Sequence, residues 1–177
     1  MLKKILLILA VLVVGFVIVA ALQPPTYQVA RSTTIAAPPA VVFAQVNDLH
    51  KFQTWSPWAK LDPAAKYTYG GPPAGVGAVF NWAGNSKVGE GRMEITESRP
   101  HELVRIKLDF IEPFASTAMT DYTFKSENNQ TTVTWSMAGN QNFMSKAFGL
   151  IMSMDKMIGQ DFEKGLANLK SVAESAK

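Results

Sequence analysis

The side chains able to move a proton are Glu90, Arg105, Asp109 and Asp121, and all four stand in runs that alternate apolar and polar residues. In Val104-Arg105-Ile106-Lys107-Leu108-Asp109-Phe110, strict alternation puts Arg105 and Asp109 on the wet face of a strand. There a lattice of ion pairs accounts for them. Asp121 is out of phase with Tyr122 and is expected to face water too. Glu90 shares parity with Arg92 and Glu94, so only a bulge would turn it inward. No carboxylate pair and no Ser/His/Asp set emerges, so no catalytic residue is assigned. His50 and His101 lie far apart with no partner at metal-ligand spacing, and nothing implies a metal or another cofactor. With no cysteine, disulfides and thiolate chemistry are excluded. Gly75-x-Gly77 lacks the lysine, the hydroxyl residue and the helix of a phosphate loop. The polar groups left pointing inward are the Thr120 hydroxyl, the Tyr122 phenol and the tryptophan N–H groups. These either orient a ligand or bond to backbone.

Positioning them requires strands. Tyr27–Ile35 reads as a first strand, and Ala37-Pro38-Pro39 opens a short helix with Val42, Phe43 and Val46 on its apolar face. Another turn of helix is expected from Asp48 to Thr54. Trp55-Ser56-Pro57-Trp58 then presents two large rings, which either plug one end of the core or line the mouth of a pocket. Six strands follow. Their inward residues are expected to be Phe80 and Trp82, then Gly91, Met93 and Ile95, then Leu108 and Phe110. Thr120, Tyr122 and Phe124 continue the set, with Val133, Trp135 and Met137 on the last strand.

Gln141–Ala176 closes the chain as one expected helix. Ile151, Met154, Ile158, Phe162, Leu166, Leu169 and Val172 recur every three or four residues along it. Asn140 or Asn142 can cap its start, and about 30 helical residues would reach roughly 45 Å. Gly159 and Gly165, unfavourable in a helix by about 1 kcal/mol each, point to close backbone approach or to a bend. Met144, Met152, Met154 and Met157 on this stretch, with Met93 and Met137 on strands, form either plain core or a deformable wall for apolar ligands.

At the other end, Ile5–Leu22 is an uncharged run of 18 residues preceded by Lys3 and Lys4. It suits a transmembrane anchor, and its length favours that over a cleaved signal. Basic flanking residues stay cytoplasmic, which would place the rest of the chain outside that compartment. The expected organisation is an anchor at 1–22, a linker at 23–30 and one domain at 31–177. Removing Lys3 and Lys4 from the 17 basic residues leaves 15 against 14 acidic ones, so the domain is nearly neutral. Nucleic acid is not an expected partner.

Strand-Pro-Pro-helix-Trp55-Ser56-Pro57-Trp58, then Gly75-Val76-Gly77-Ala78 before an aromatic strand, resembles the polyketide cyclase/dehydrase-like branch of the START and birch-pollen-allergen (SRPBCC) superfamily. Asp161-Phe162-Glu163-Lys164-Gly165-Leu166 looks like the end of that branch's long helix. The resemblance implies an α+β helix-grip fold, a curved antiparallel sheet wrapped around a C-terminal helix with an apolar cavity between them. It implies binding of lipids, sterols or polyketides, with cyclisation or dehydration in some members. The candidate ligand-binding residues are Trp55, Trp58, Phe80, Trp82, Met93, Leu108 and Phe110, together with Thr120, Tyr122, Phe124, Trp135, Met154, Ile158 and Phe162. The leading expectation is a membrane-anchored binder of a hydrophobic small molecule or lipid. An enzyme of the cyclase/dehydrase kind and an interaction domain with a filled core are the alternatives.

Overall fold

Proline punctuation and two-residue alternation order the elements as the sequence suggests. The structure, a computed structural model, describes residues 1–150 and 153–176. Helix α1 (Leu2–Ala21) leads into β1 (Thr26–Ile35), followed by α2 (Pro39–Val46) and α3 (Leu49–Trp55). Strands β2 (Lys66–Gly70), β3 (Val79–Ala83), β4 (Glu90–Arg99) and β5 (Leu103–Glu112) come next. Then come β6 (Ser116–Glu127), β7 (Gln130–Asn140), α4 (Phe143–Gly149) and α5 (Met154–Ser175). The seven strands form one antiparallel sheet in the order β1-β7-β6-β5-β4-β3-β2. Its dry face packs on α5, which is the helix-grip arrangement. Strand β1 begins inside the expected linker, because Thr26 to Ala30 pair with Asn140 to Ser136 of β7.

Local chemistry explains the breaks. Asp48 caps α3 by accepting from the His50 amide, and Pro38 precedes the first turn of α2. Asn128 and Asn129 take positive φ in the β6–β7 turn, and the Thr131 hydroxyl after them is buried and donates to Ala37 O. On the wet face Arg105 donates to both Asp121 oxygens and to Glu97, and Lys107 pairs with Asp109. These are the ion pairs expected there. A bulge does fall between Glu90 and Gly91, yet Glu90 stays outside the cavity described below.

The single helix expected over Gln141–Ala176 is two helices. Asn142 caps α4 and accepts from the Ser145 amide, while Ser153 caps α5 and accepts from the Lys156 amide. A serine gains more as a cap than inside a helix, and Gly149 weakens the end of α4. No residue of α4 is buried, so no core packing holds it in line with α5. The 22 residues of α5 span about 33 Å, not 45. Ile151 and Met152 lie outside the described residues.

Small residues set how α5 lies on the sheet. Gly159, Phe162, Gly165, Leu166, Leu169 and Ala173 are its buried face. A Cβ on Gly165 would stand 2.6 Å from the Trp135 ring and 3.2 Å from Pro57 Cδ, so this glycine marks close approach in an unbroken helix. Gly159 does the same for Arg31, whose guanidinium crosses it to reach Asp155 at 2.8 Å and Glu163 at 2.7 Å.

Two outcomes follow. Gly165→Ala should lower the melting temperature by several degrees, since forced overlap costs about 1–3 kcal/mol and alanine returns at most about 1. Thermal unfolding checks this. Hydrogen bonds from Arg31 hold the Asp155 carboxyl below the usual carboxylate range. Its contribution is present above the unfolded value near 3.9 and is lost as pH falls through the lower folded value. Amide exchange in the first turns of α5 should rise in that acid window, and Asp155→Asn should remove the step.

Candidate ligand-binding cavity

The site is built around Trp135. Its ring stacks on Phe162 of α5 with centroids 3.9 Å apart and planes 10° from parallel. Tyr122 stacks on it at 5.1 Å, while Trp55 and Trp58 meet it edge-on at 6.0 and 5.9 Å. Alternation puts Tyr122 and Trp135 opposite each other across the β6–β7 ladder, and on the dry face. Beyond these rings the sheet and the first half of α5 enclose a cavity of about 340 Å³.

Eleven of the residues expected at the site line this space: Trp58, Phe80, Trp82, Met93, Leu108, Phe110, Thr120, Tyr122, Trp135, Ile158 and Phe162. Three do not. Trp55 stands behind the wall, buried, with its N–H on Gln45 O. Phe124 packs on Phe43, which in turn meets His101, in a filled part of the core. Met154 lies on a separate groove beside Pro24, Tyr27 and Gln141, because its place on the first turn of α5 puts it past the cavity. Met144 and Met157 are exposed, so among the described methionines of that set Met93 and Met137, both on strands, line the wall.

Sequence reasoning missed Phe52, Tyr67 and Asp161. Met137 was already on the inward face, and Asp161 is three residues after Ile158, a spacing that shares a helix face. Ser86, Lys87, Val88 and Pro113 also line the cavity from loops, where no periodicity announces them, and Glu112 does so from the last position of β5. Gly91 supports the wall in another way, since a Cβ there would overlap the Trp82 ring that lies over it.

The tryptophan N–H groups of the wall are already engaged. Trp135 Nε1 donates to Thr120 Oγ1 at 2.9 Å, and that hydroxyl donates to Ser136 O at 2.8 Å. Trp82 Nε1 donates to Val88 O, and Trp58 Nε1 to Asp161 Oδ2. The Tyr122 hydroxyl makes no hydrogen bond among the described residues and is left to the cavity. Burial pushes its pKa well above the usual phenol value, so it stays protonated and can donate one hydrogen bond. A proton-transfer catalyst works best with a pKa near the working pH, and Tyr122 has the opposite tuning. His50 stacks on Tyr69, and no group of three metal-ligating side chains exists among the described residues.

Thr120→Val should therefore harm the fold more than Tyr122→Phe. The first strands the buried Trp135 N–H, at about 1–3 kcal/mol, whereas the second removes a hydroxyl with no partner. Denaturant unfolding of both variants checks the order.

The model of a family described as polyketide cyclase / dehydrase and lipid transport matches residues 26–174. Among solved structures, a Chromobacterium violaceum protein superposes with a TM-score of 0.60 at 15% identity, covering 86% of this chain and 99% of its own. A Nitrosospira multiformis protein gives 0.60 at 20% identity, covering 85% and 100%. Ara h 8.0201 gives 0.58 at 11% identity, covering 85% and 99%. These likenesses are of fold. The search of curated proteins gave no match.

Proposed function

From the premise that the chain belongs to the polyketide cyclase / dehydrase and lipid transport family, we propose that it is a membrane-anchored binder of an apolar small molecule or lipid. The observation that carries this is the character of the cavity. Its walls are largely aromatic and aliphatic, its tryptophan N–H groups are spent, and the protonated Tyr122 hydroxyl is left to orient a guest. A volume of about 340 Å³ falls in the range of small-molecule sites.

The anchor is α1. An 18-residue window of this 20-residue helix has a mean hydropathy of 3.0, and Ala20 is its one buried residue. A signal sequence has the same composition. The length of the helix supports a retained anchor over residues 1–22, with Lys3 and Lys4 on the cytoplasmic side and the domain on the other. A second reading, a cyclase/dehydrase-like enzyme, rests on Tyr122, the free donor inside the same cavity.

Native mass spectrometry of the full chain, extracted from its own host's membranes in mild detergent, tests the proposal. The expected result is an intact chain carrying a non-covalent apolar guest. A chain shortened by about its first 22 residues would remove the anchor and keep the binding domain. Leu108→Trp, at a half-buried position on the wall, should abolish uptake of an environment-sensitive apolar probe at near-native melting temperature. Tyr122→Phe should weaken uptake by about tenfold at most, the equivalent of one net hydrogen bond. If turnover of a cyclisable substrate instead collapses by orders of magnitude in Tyr122→Phe, the enzyme reading replaces this one.

A further inference from the structure

The cavity mouth and the anchor lie at the same end of the sheet. Exposed lining residues mark the mouth of the cavity: Ser86 and Lys87 in the β3–β4 loop, Glu112 and Pro113 at the β5–β6 hairpin. The ladder registers place those loops with the anchor. Thr26, the first residue of β1, pairs with Asn140, the last of β7, and Gly139 pairs with Ala118 near the start of β6. The β5–β6 tip therefore projects from the end of the sheet at which α1 arrives, two to three strand spacings from β1, about 10–15 Å.

The connection is short and pinned. Three residues, Gln23 to Pro25, separate the region of α1 and its cap from β1, and they reach no more than about 11 Å. Gln141 holds them: its amide donates to Pro25 O at 2.7 Å, and its side chain donates to Pro24 O and Thr26 O. Helix α4 follows directly and packs against α1. That helix buries nothing of its own, yet Phe143, Met144, Phe148 and Leu150 of this segment are exposed. Ile111 and Phe114 at the hairpin are 50% and 82% exposed. Apolar rings in water beside a membrane-length helix suit a headgroup–acyl boundary.

We propose that α4 and the β5–β6 hairpin seat on the bilayer that holds α1, so that the cavity mouth opens onto lipid. The proposal rests on the reading of α1 as an anchor. It deepens the binding proposal by naming the source of the guest, the acyl phase of that membrane, reached without passage through water. Lys87 shares the cavity lining with Glu112, and the exposed large residues of α4 and the hairpin are apolar, so salt should affect the contact little.

The chain has no cysteine, so single-cysteine variants of the full-length protein can carry a bimane label. Phe114→Cys and Met144→Cys report the two apolar elements. Lys125→Cys, exposed near the opposite end of β6, is the control. Each is reconstituted into phosphatidylcholine vesicles. The labels at 114 and 144 should be quenched by brominated acyl chains and be several-fold less open to aqueous iodide than the label at 125, at low and at high salt. Iodide access equal to that at 125, in protein that resists a carbonate wash, overturns the docking and leaves the anchor standing. Protein washed from the vesicles overturns the anchor and the docking with it. Shielding from iodide without quenching by brominated lipid would mean that protein covers the patch, and it also overturns the proposal.

Discussion

The contact between Trp135 and Phe162 determines where there is space in this molecule. Two flat rings 3.9 Å apart and 10° from parallel fix the height of α5 above the sheet. Gly165, one turn on, lets the helix backbone come down onto the edge of the same indole and onto Pro57. From that contact towards the C-terminus the gap is closed by Leu166, Leu169 and Ala173, with α2 packed against the same stretch. Towards the N-terminus of α5 only Ile158 and Asp161 face the sheet across the cavity. The stack is the boundary between solid core and void, so a dense interior and a hollow one occur on one helix.

The polar groups reinforce this division of roles. A buried indole needs an acceptor, and each tryptophan has a nearby oxygen: Gln45 O, Asp161, Val88 O and Thr120. Those bonds stiffen the wall and remove it from ligand chemistry. Tyr122 is held by ring contacts with Trp55 and Trp135 and makes no hydrogen bond among the described residues. A guest that supplied an acceptor there would gain a bond the empty protein lacks. One lacking an acceptor would be chosen by shape alone. Selection by volume plus one hydrogen bond suits a class of apolar molecules more than a single substrate.

Period-two alternation carried the strand side of the cavity into view, because a residue's face on a half-solvated sheet depends only on its parity. Phe80, Met93, Leu108, Tyr122 and Trp135 were legible on that ground. Helical spacing did less well. It weighted large apolar residues and gave Met154 a place on the wall, whereas the axis of contact runs through Gly159 and Gly165, whose role is to be small. Nothing periodic signals a helix break, and the stop between α4 and α5 depends on Ser153 acting as a cap instead of an interior residue. The mouth residues Lys87 and Pro113 come from loops whose position follows from the whole sheet. Tertiary geometry alone places them.

The two halves of α5 are held by different forces. The C-terminal half is fastened by burial, with Phe162, Leu166, Leu169 and Ala173 each no more than 2% exposed. At roughly 25 cal/mol per Å² of apolar surface, such contacts are costly to undo. The first two turns have only Gly159 buried, and Arg31 of β1 secures them through Asp155 and Glu163, whose side chains are more than half exposed. Ion pairs of that kind contribute little each and exchange readily with water. Local opening therefore favours the N-terminal turns of α5, next to Ile158 and the groove that contains Met154. This weakly fastened part of the helix borders the cavity and lies directly after α4, the segment that packs on the membrane-length helix.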